Sequence, residues 1–176
     1  MQKSELREYY LNKRRHLKNK QQLDEQITNR LFDVIKQTNY NRIALYHPTI
    51  NEINLLPLAH KLADKYTLCL PRINGKYIKF YSWNINDELA SNQFSIQEPQ
   101  ADKAIITPEI ILCPLLAYDK KGHRLGYGGG FYDRALAELP TTLKIGVAYK
   151  FMQVESSLPN EKHDQILDII INEKET

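Results

Sequence analysis

No stretch of this 176-residue chain approaches the roughly 20 consecutive apolar residues of a membrane span, so no transmembrane helix is expected. The first twenty residues, MQKSELREYYLNKRRHLKNK, lack the apolar centre of a secretory signal, and the expected location is cytoplasmic. Cysteine is scarce. Cys69 in TLCLP and Cys113 in IILCP both sit within apolar, strand-like runs. Two isolated cysteines make neither a disulfide framework nor a zinc site, and they read as buried small hydrophobes in a reducing compartment. No Ser/Gly-rich linker, internal repeat or low-complexity segment divides the chain. Residues 1–176 are therefore expected to form a single domain with a substantial core. A composition of 42% hydrophobic and 26% charged residues is that of an ordinary globular protein.

The formal charge of +3 is unevenly spread. Residues 1–20 hold seven Lys and Arg against two Glu, a local +5, while the remainder has 17 basic against 19 acidic side chains, net −2. A charge run of this kind is either a solvated helix face or a surface that meets an anion.

Apolar spacing predicts a polar, basic helix over 3–20 and a second helix near 23–37 with Ile27, Leu31, Val34 and Ile35 on one stripe. Short strand-like and helical runs then alternate. Strands are expected at 42–46, 66–71, 76–83, 109–114, 144–149 and 165–171, and helices at 54–65, with Pro57 in the first turn, and at about 130–138. EIILCP and KIGVAY are near-continuous apolar runs, as expected of strands buried on both faces of a parallel sheet. This order argues for an α/β fold: a three-layer, Rossmann-like, mostly parallel sheet with helices on both faces.

Glycine is also scarce, seven in all, yet Gly126, Gly128, Gly129 and Gly130 fall within RLGYGGGFYDRAL, residues 124–136. The run lies between the apolar strand at 109–114 and a helix, at the strand end where open α/β sheets place ligands. Glycines there allow a phosphate to approach the backbone at a helix start. Arg124 and Arg134 flank the run and can add charge. A flexible turn is the plain alternative, but four glycines in five residues exceed what a two-residue turn uses. A Walker A loop would need Lys-Ser/Thr after its last glycine, where Phe131-Tyr132 stand, and the third glycine of G-x-G-x-x-G would fall at Phe131.

Asp133 follows the run, just after Phe131-Tyr132. A carboxylate beside a phosphate site repels the ligand unless a cation lies between them, and Mg²⁺ binds through one or two carboxylates plus phosphate oxygens and water. Asp164, in PNEKHDQILD, offers a second carboxylate, with a solvated turn aspartate as its plain reading. His163 beside it reads as a surface histidine.

The block GHRLGYGGGFYDRAL, preceded by LCPLLAYDKK, resembles the signature of the 5-formyltetrahydrofolate cyclo-ligase (methenyltetrahydrofolate synthetase) family. The resemblance runs in order along most of the chain. It takes in Lys3 and Arg7, Glu52, Pro71-Arg72, the segment of Phe94, Ile96, Glu98 and Pro99, the glycine block, Leu158-Pro159, His163-Asp164 and Leu167-Asp168. It implies a ligase that uses ATP and Mg²⁺ to convert 5-formyltetrahydrofolate, with or without a polyglutamate tail, to 5,10-methenyltetrahydrofolate. On this resemblance the formyl oxygen is phosphorylated and N10 closes the ring, releasing ADP and phosphate. ATP contacts would fall on Lys3, Arg7, Arg124, Gly126, Tyr127, Gly128, Gly129, Gly130 and Tyr132. Folate contacts would fall on Glu52, Phe94, Tyr127 and Phe131, and metal contacts on Asp133 and Asp164. No residue is placed as a general acid or base, and neither nucleic acid nor membrane is an expected partner. The loop has no lysine where some relatives carry one, which shifts phosphate neutralisation onto Arg124, Lys3 and Mg²⁺. Two other classes are weighed: a nucleic-acid-binding protein using the +5 helix, disfavoured by the net −2 remainder, and a phosphosugar isomerase or kinase on a similar sheet.

Overall fold

The computed structural model describes residues 2–49 and 51–174; residues 1, 50, 175 and 176 of the expected domain lie outside the described residues. Two helices, α1 (Lys3–Arg15) and α2 (Lys20–Lys36), precede β1 (Arg42–Ala44), α3 (Leu56–Leu62), β2 (Thr67–Asn74) and β3 (Tyr77–Ser82). Short strands β4 (Ala90–Ser91) and β5 (Gln97–Glu98) pair as a hairpin, followed by β6 (Ile110–Pro114) and a second hairpin of β7 (Ala117–Tyr118) and β8 (Arg124–Leu125). The chain ends through α4 (Phe131–Glu138), β9 (Leu143–Val147), a 3₁₀ turn at Lys150–Met152 and β10 (Ile169–Ile171).

The central sheet has six strands in the order β10-β9-β6-β1-β2-β3. Every pairing is parallel except that of β2 with β3. The crossover from β1 through α3 to β2 moves one way along the sheet, and that from β6 through α4 to β9 moves the other way. Right-handed connections therefore put α3 and α4 on opposite faces. Burial agrees: Ile110, Ile111, Leu112 and Cys113 of β6 are all fully buried, so both faces of the strand are covered. Ile27, Leu31 and Ile35, at i, i+4 and i+8 of α2, bury one stripe in the same core as Leu58 and Leu62 of α3. Both cysteines are free and buried in strands, and burial pushes each thiol up to about 12.

The sheet order reverses between β1 and β6, and the crevice beyond the carboxyl ends of such strands is where this architecture binds ligands. Three local features differ from the expectation. The first helix stops at Arg15, with His16 as its C-cap, and α2 starts afresh at Lys20 after Asn19 in the left-handed conformation (φ 58), which asparagine tolerates. The last strand begins at Ile169 rather than 165, because Leu167 N–H bonds to Gly122 O and Asp168 N–H to Lys144 O, drawing this segment along the site. The two small hairpins are too short to show alternation, and they carry Phe94 and the approach to the glycine run.

Candidate active site

A cavity of about 610 Å³ opens at the carboxyl ends of β1 and β6. It is lined by Lys3, Arg7, Glu52, Phe94, Arg124, Gly126, Tyr127, Gly128, Gly129, Gly130, Phe131, Tyr132, Asp133 and Asp164. The structure thus brings into one cavity the positions assigned to ATP, folate and metal, from segments as much as 161 residues apart. Tyr46, His47, Thr49, Ile73, Ile78 and Glu161 complete much of the wall.

The glycine run joins β8 to α4. Gly128 (φ +102) and Gly130 (φ +65, the residue before α4) adopt backbone conformations that side chains disfavour. Two loop carbonyls are held by guanidinium groups: Arg7 Nε donates to Gly126 O at 2.9 Å and Arg134 Nη2 to Gly129 O at 2.8 Å. Arg134 also donates to Lys76 O and lies over the Phe131 ring, so it braces the loop against the turn between β2 and β3.

On the acidic side, the Arg124 side chain is only 4% exposed; Nη2 donates to Asp133 Oδ1 at 2.8 Å and Nη1 to Gln165 O at 2.7 Å. Gln165 N–H donates to the same Asp133 oxygen at 2.9 Å, which places Asp133 beside the residue that follows Asp164. Asp164 Oδ2 accepts from Lys3 Nζ at 2.7 Å and from Glu161 N–H at 2.8 Å, and Lys3 also reaches Glu161 Oε1 at 2.9 Å. Burial opposes ionisation of Asp164, but the Lys3 ammonium and the Glu161 N–H outweigh it and hold the carboxyl below the usual range. Burial likewise opposes the charge on Lys3, and its two carboxylate partners outweigh it and hold the ammonium above its ordinary value.

Among the described residues, Asp133 Oδ2 and Asp164 Oδ1 accept no protein hydrogen bond. No group of three or more His, Cys, Asp or Glu side chains forms a metal cage among the described residues. Two hard oxygen donors with open positions fit a cation that completes its shell with phosphate and water, as Mg²⁺ does.

Opposite, Glu52 is 8% exposed in the turn after β1. Its Oε2 accepts from Thr49 N–H and Thr49 Oγ1, both at 2.8 Å, and its Oε1 accepts from the Tyr127 hydroxyl at 2.7 Å. Arg14, 5% exposed, donates Nη1 to that hydroxyl at 2.7 Å and Nε to Asn51 O at 2.8 Å. Burial, and then the Glu52 carboxylate, push the Tyr127 phenol well above its ordinary value, so it stays a neutral donor. Phe94 meets Phe131 edge to face, with centroids 6.2 Å apart. Glu98 fixes the hairpin that bears Phe94: it pairs with Arg72 at 2.9 Å and accepts from Ile73 N–H and Asn92 Nδ2.

Lys3, Arg7 and Arg14 share one helical face, while Lys13, Arg15 and Lys18 are exposed. The basic N-terminal helix is therefore divided between a side that faces the cavity, with Lys3 and Arg7, and a solvated side. Arg14 was not singled out from sequence, although its spacing of seven from Arg7 carried the signal. His163 is a surface histidine, as expected, with its side chain 73% exposed.

Residues 1–173 match the profile of the 5-formyltetrahydrofolate cyclo-ligase family. The chain is 34% identical to the 5-formyltetrahydrofolate cyclo-ligase of Haemophilus influenzae, over 85% of this chain and 86% of that protein. It is also 34% identical to the enzyme of the same name from Mycoplasma genitalium, over 96% of both chains. Among solved structures it superimposes on the 5,10-methenyltetrahydrofolate synthetase of Aquifex aeolicus with a TM-score of 0.87 at 33% identity, covering 99% of this chain and 91% of that one.

Proposed function

The chain belongs to the 5-formyltetrahydrofolate cyclo-ligase family of ligases, and we propose that its cavity converts 5-formyltetrahydrofolate and ATP to 5,10-methenyltetrahydrofolate, ADP and phosphate. A formamide carbon is a poor electrophile and its oxygen a poor leaving group. The formyl oxygen attacks the γ-phosphorus and the bond to ADP breaks, which leaves an iminium-like carbon bearing a phosphate. The N10 lone pair then attacks that carbon, the carbon–oxygen bond breaks to release phosphate, and the N10 proton passes to solvent. The protein's part is positioning and charge stabilisation.

Lys3 and Arg7 meet the triphosphate from the cavity-facing side of α1, and residues 126–130 with Tyr132 cradle it. Arg124 steadies Asp133, to which it is already bonded, and faces the same phosphates. Asp133 and Asp164 would hold Mg²⁺ through their open oxygens; when bound, the ion neutralises phosphate charge. Glu52 accepts pterin N–H donors, flanked by Tyr127. Phe94 and Phe131 form an apolar wall that keeps water from the activated carbon. The chain works as one catalytic unit, in a cytoplasmic compartment whose reducing conditions suit its free thiols.

The observation that carries this reading is the meeting in one cavity of a basic face, a glycine loop, two half-engaged carboxylates and a buried glutamate. The test uses 5-formyltetrahydrofolate labelled with ¹⁸O in the formyl group. This mechanism sends the label into inorganic phosphate; label recovered in water instead would contradict it.

A further inference from the structure

Glu52 is short of acceptor capacity as the protein stands. An ionised carboxylate has about four lone-pair sites. Among the described residues three are in use, two on Oε2 by Thr49 and one on Oε1 by Tyr127. The direction of the Tyr127 bond is fixed by Arg14, since a guanidinium only donates: the phenol oxygen accepts from Nη1, and its single hydrogen is left for Glu52. Paired acceptance of two pterin N–H groups needs two free sites, and one remains.

Of the three donors, Tyr127 is the one able to leave. The Thr49 bonds belong to a tight turn in which Glu52 N–H itself returns to Thr49 O at 3.0 Å. Tyr127 instead leans in from the glycine run, between Gly126 and Gly128; its hydroxyl is enclosed by Glu52 and Arg14, yet the residue as a whole is 46% exposed. When it leaves, Arg14 keeps its bond to Asn51 O.

We propose that Tyr127 is a positioning residue that holds the place of a pterin donor on Glu52, and that folate binding displaces it and so resets the phosphate loop. This inference rests on the assignment of Glu52 to the pterin. The loop transmits the change because its next contacts are with the phosphate side. Arg7 holds Gly126 O, and its guanidinium lies within 3.4 Å of where a Gly128 side chain would begin. Folate and nucleotide affinities are then coupled, by the same factor in each direction.

Calorimetric titrations test this with 5-formyltetrahydrofolate and with a non-hydrolysable ATP analogue plus Mg²⁺, each alone and in the presence of the other. The parent is expected to show mutual effects of about fivefold or more. Tyr127→Phe, which deletes one oxygen, is expected to bind folate about threefold more tightly without nucleotide and to show mutual effects below about twofold. Weaker folate binding by Tyr127→Phe, or undiminished coupling, overturns the proposal. Glu52→Gln separates the two levels. Parental folate affinity in that variant removes the pterin assignment and the proposal with it. Lost affinity there, together with intact coupling in Tyr127→Phe, removes the proposal alone.

Discussion

Gly128→Val places a branched side chain where the backbone has φ +102. Holding a non-glycine residue in such a region costs about 1–3 kcal/mol. A Cβ there would stand 3.4 Å from Arg7 Cζ, and valine's γ carbons reach further toward the guanidinium. The strain has two outlets. The loop can swing out of the positive-φ region, breaking the Arg7 bond to Gly126 O and the Tyr127 bonds to Glu52 and Arg14. Alternatively the fold can hold it in place. In the first case 1–3 kcal/mol removes about 5- to 150-fold of the phosphate-cradling population, and the KM for ATP rises by that factor with little change in Tm. In the second, ATP kinetics survive and Tm falls by about 2–4 °C for each kcal/mol. The first is expected, because side-chain bonds from an exposed loop are easier to give up than the sheet. Gly128→Ala carries the φ cost without the γ carbons and is expected to lose less. ATP kinetics and thermal unfolding measured on both variants decide the matter. A valine variant with parental KM, kcat and Tm would reduce the glycines to a simple turn.

Replacing Lys3 or Arg7 with Ala is expected to raise the KM for ATP tenfold or more, about 1.4 kcal/mol, with the fold intact by circular dichroism; unchanged kinetics in both would leave the helix without a part in nucleotide binding. Asp133→Asn, and less severely Asp164→Asn, is expected to raise the Mg²⁺ midpoint of activation far more than the folate KM, and parental midpoints in both would remove these carboxylates from the metal. The Lys3–Asp164 bond has a defined pH window. The lowered Asp164 value means its contribution is present above about pH 4 and lost as pH falls through the folded value. The raised Lys3 value means it is present below about pH 10 and lost as pH rises through the folded value. The Tm difference between parent and Asp164→Asn, measured without metal, should therefore be flat through neutrality and collapse in acid; a difference that grows in acid would contradict it. Both thiols, pushed up to about 12 by burial, should resist a disulfide reagent at about pH 8 until the protein is denatured; prompt labelling of the native protein would show that the strands open.

The sheet was legible because β6 and β9 are buried on both faces and so read as continuous apolar runs, and α2 because its stripe recurs at helical spacing. The glycine block was legible because so scarce a residue is concentrated there. What the sequence hid was pairing. Asp133 reads as an acidic residue near phosphate, but nothing local says that Arg124 and the Gln165 amide hold one of its oxygens and leave the other open. Arg14 reads as one more charge in a basic helix, and its burial against Tyr127 depends on a loop more than a hundred residues away. Glu98 reads as part of a motif and proves to be the pin of the Phe94 hairpin, through an ion pair to β2 that only the fold creates.

One cavity using ATP to close a folate ring is the central claim, and a single mixture tests it most directly. Protein, ATP, Mg²⁺ and 5-formyltetrahydrofolate are combined and methenyl absorbance is followed alongside ADP. The account predicts absorbance that grows in equal molar step with ADP and stops when ATP, Mg²⁺ or the folate is omitted. Folded protein that produces no methenyl signal, or produces it equally well without ATP, would contradict it.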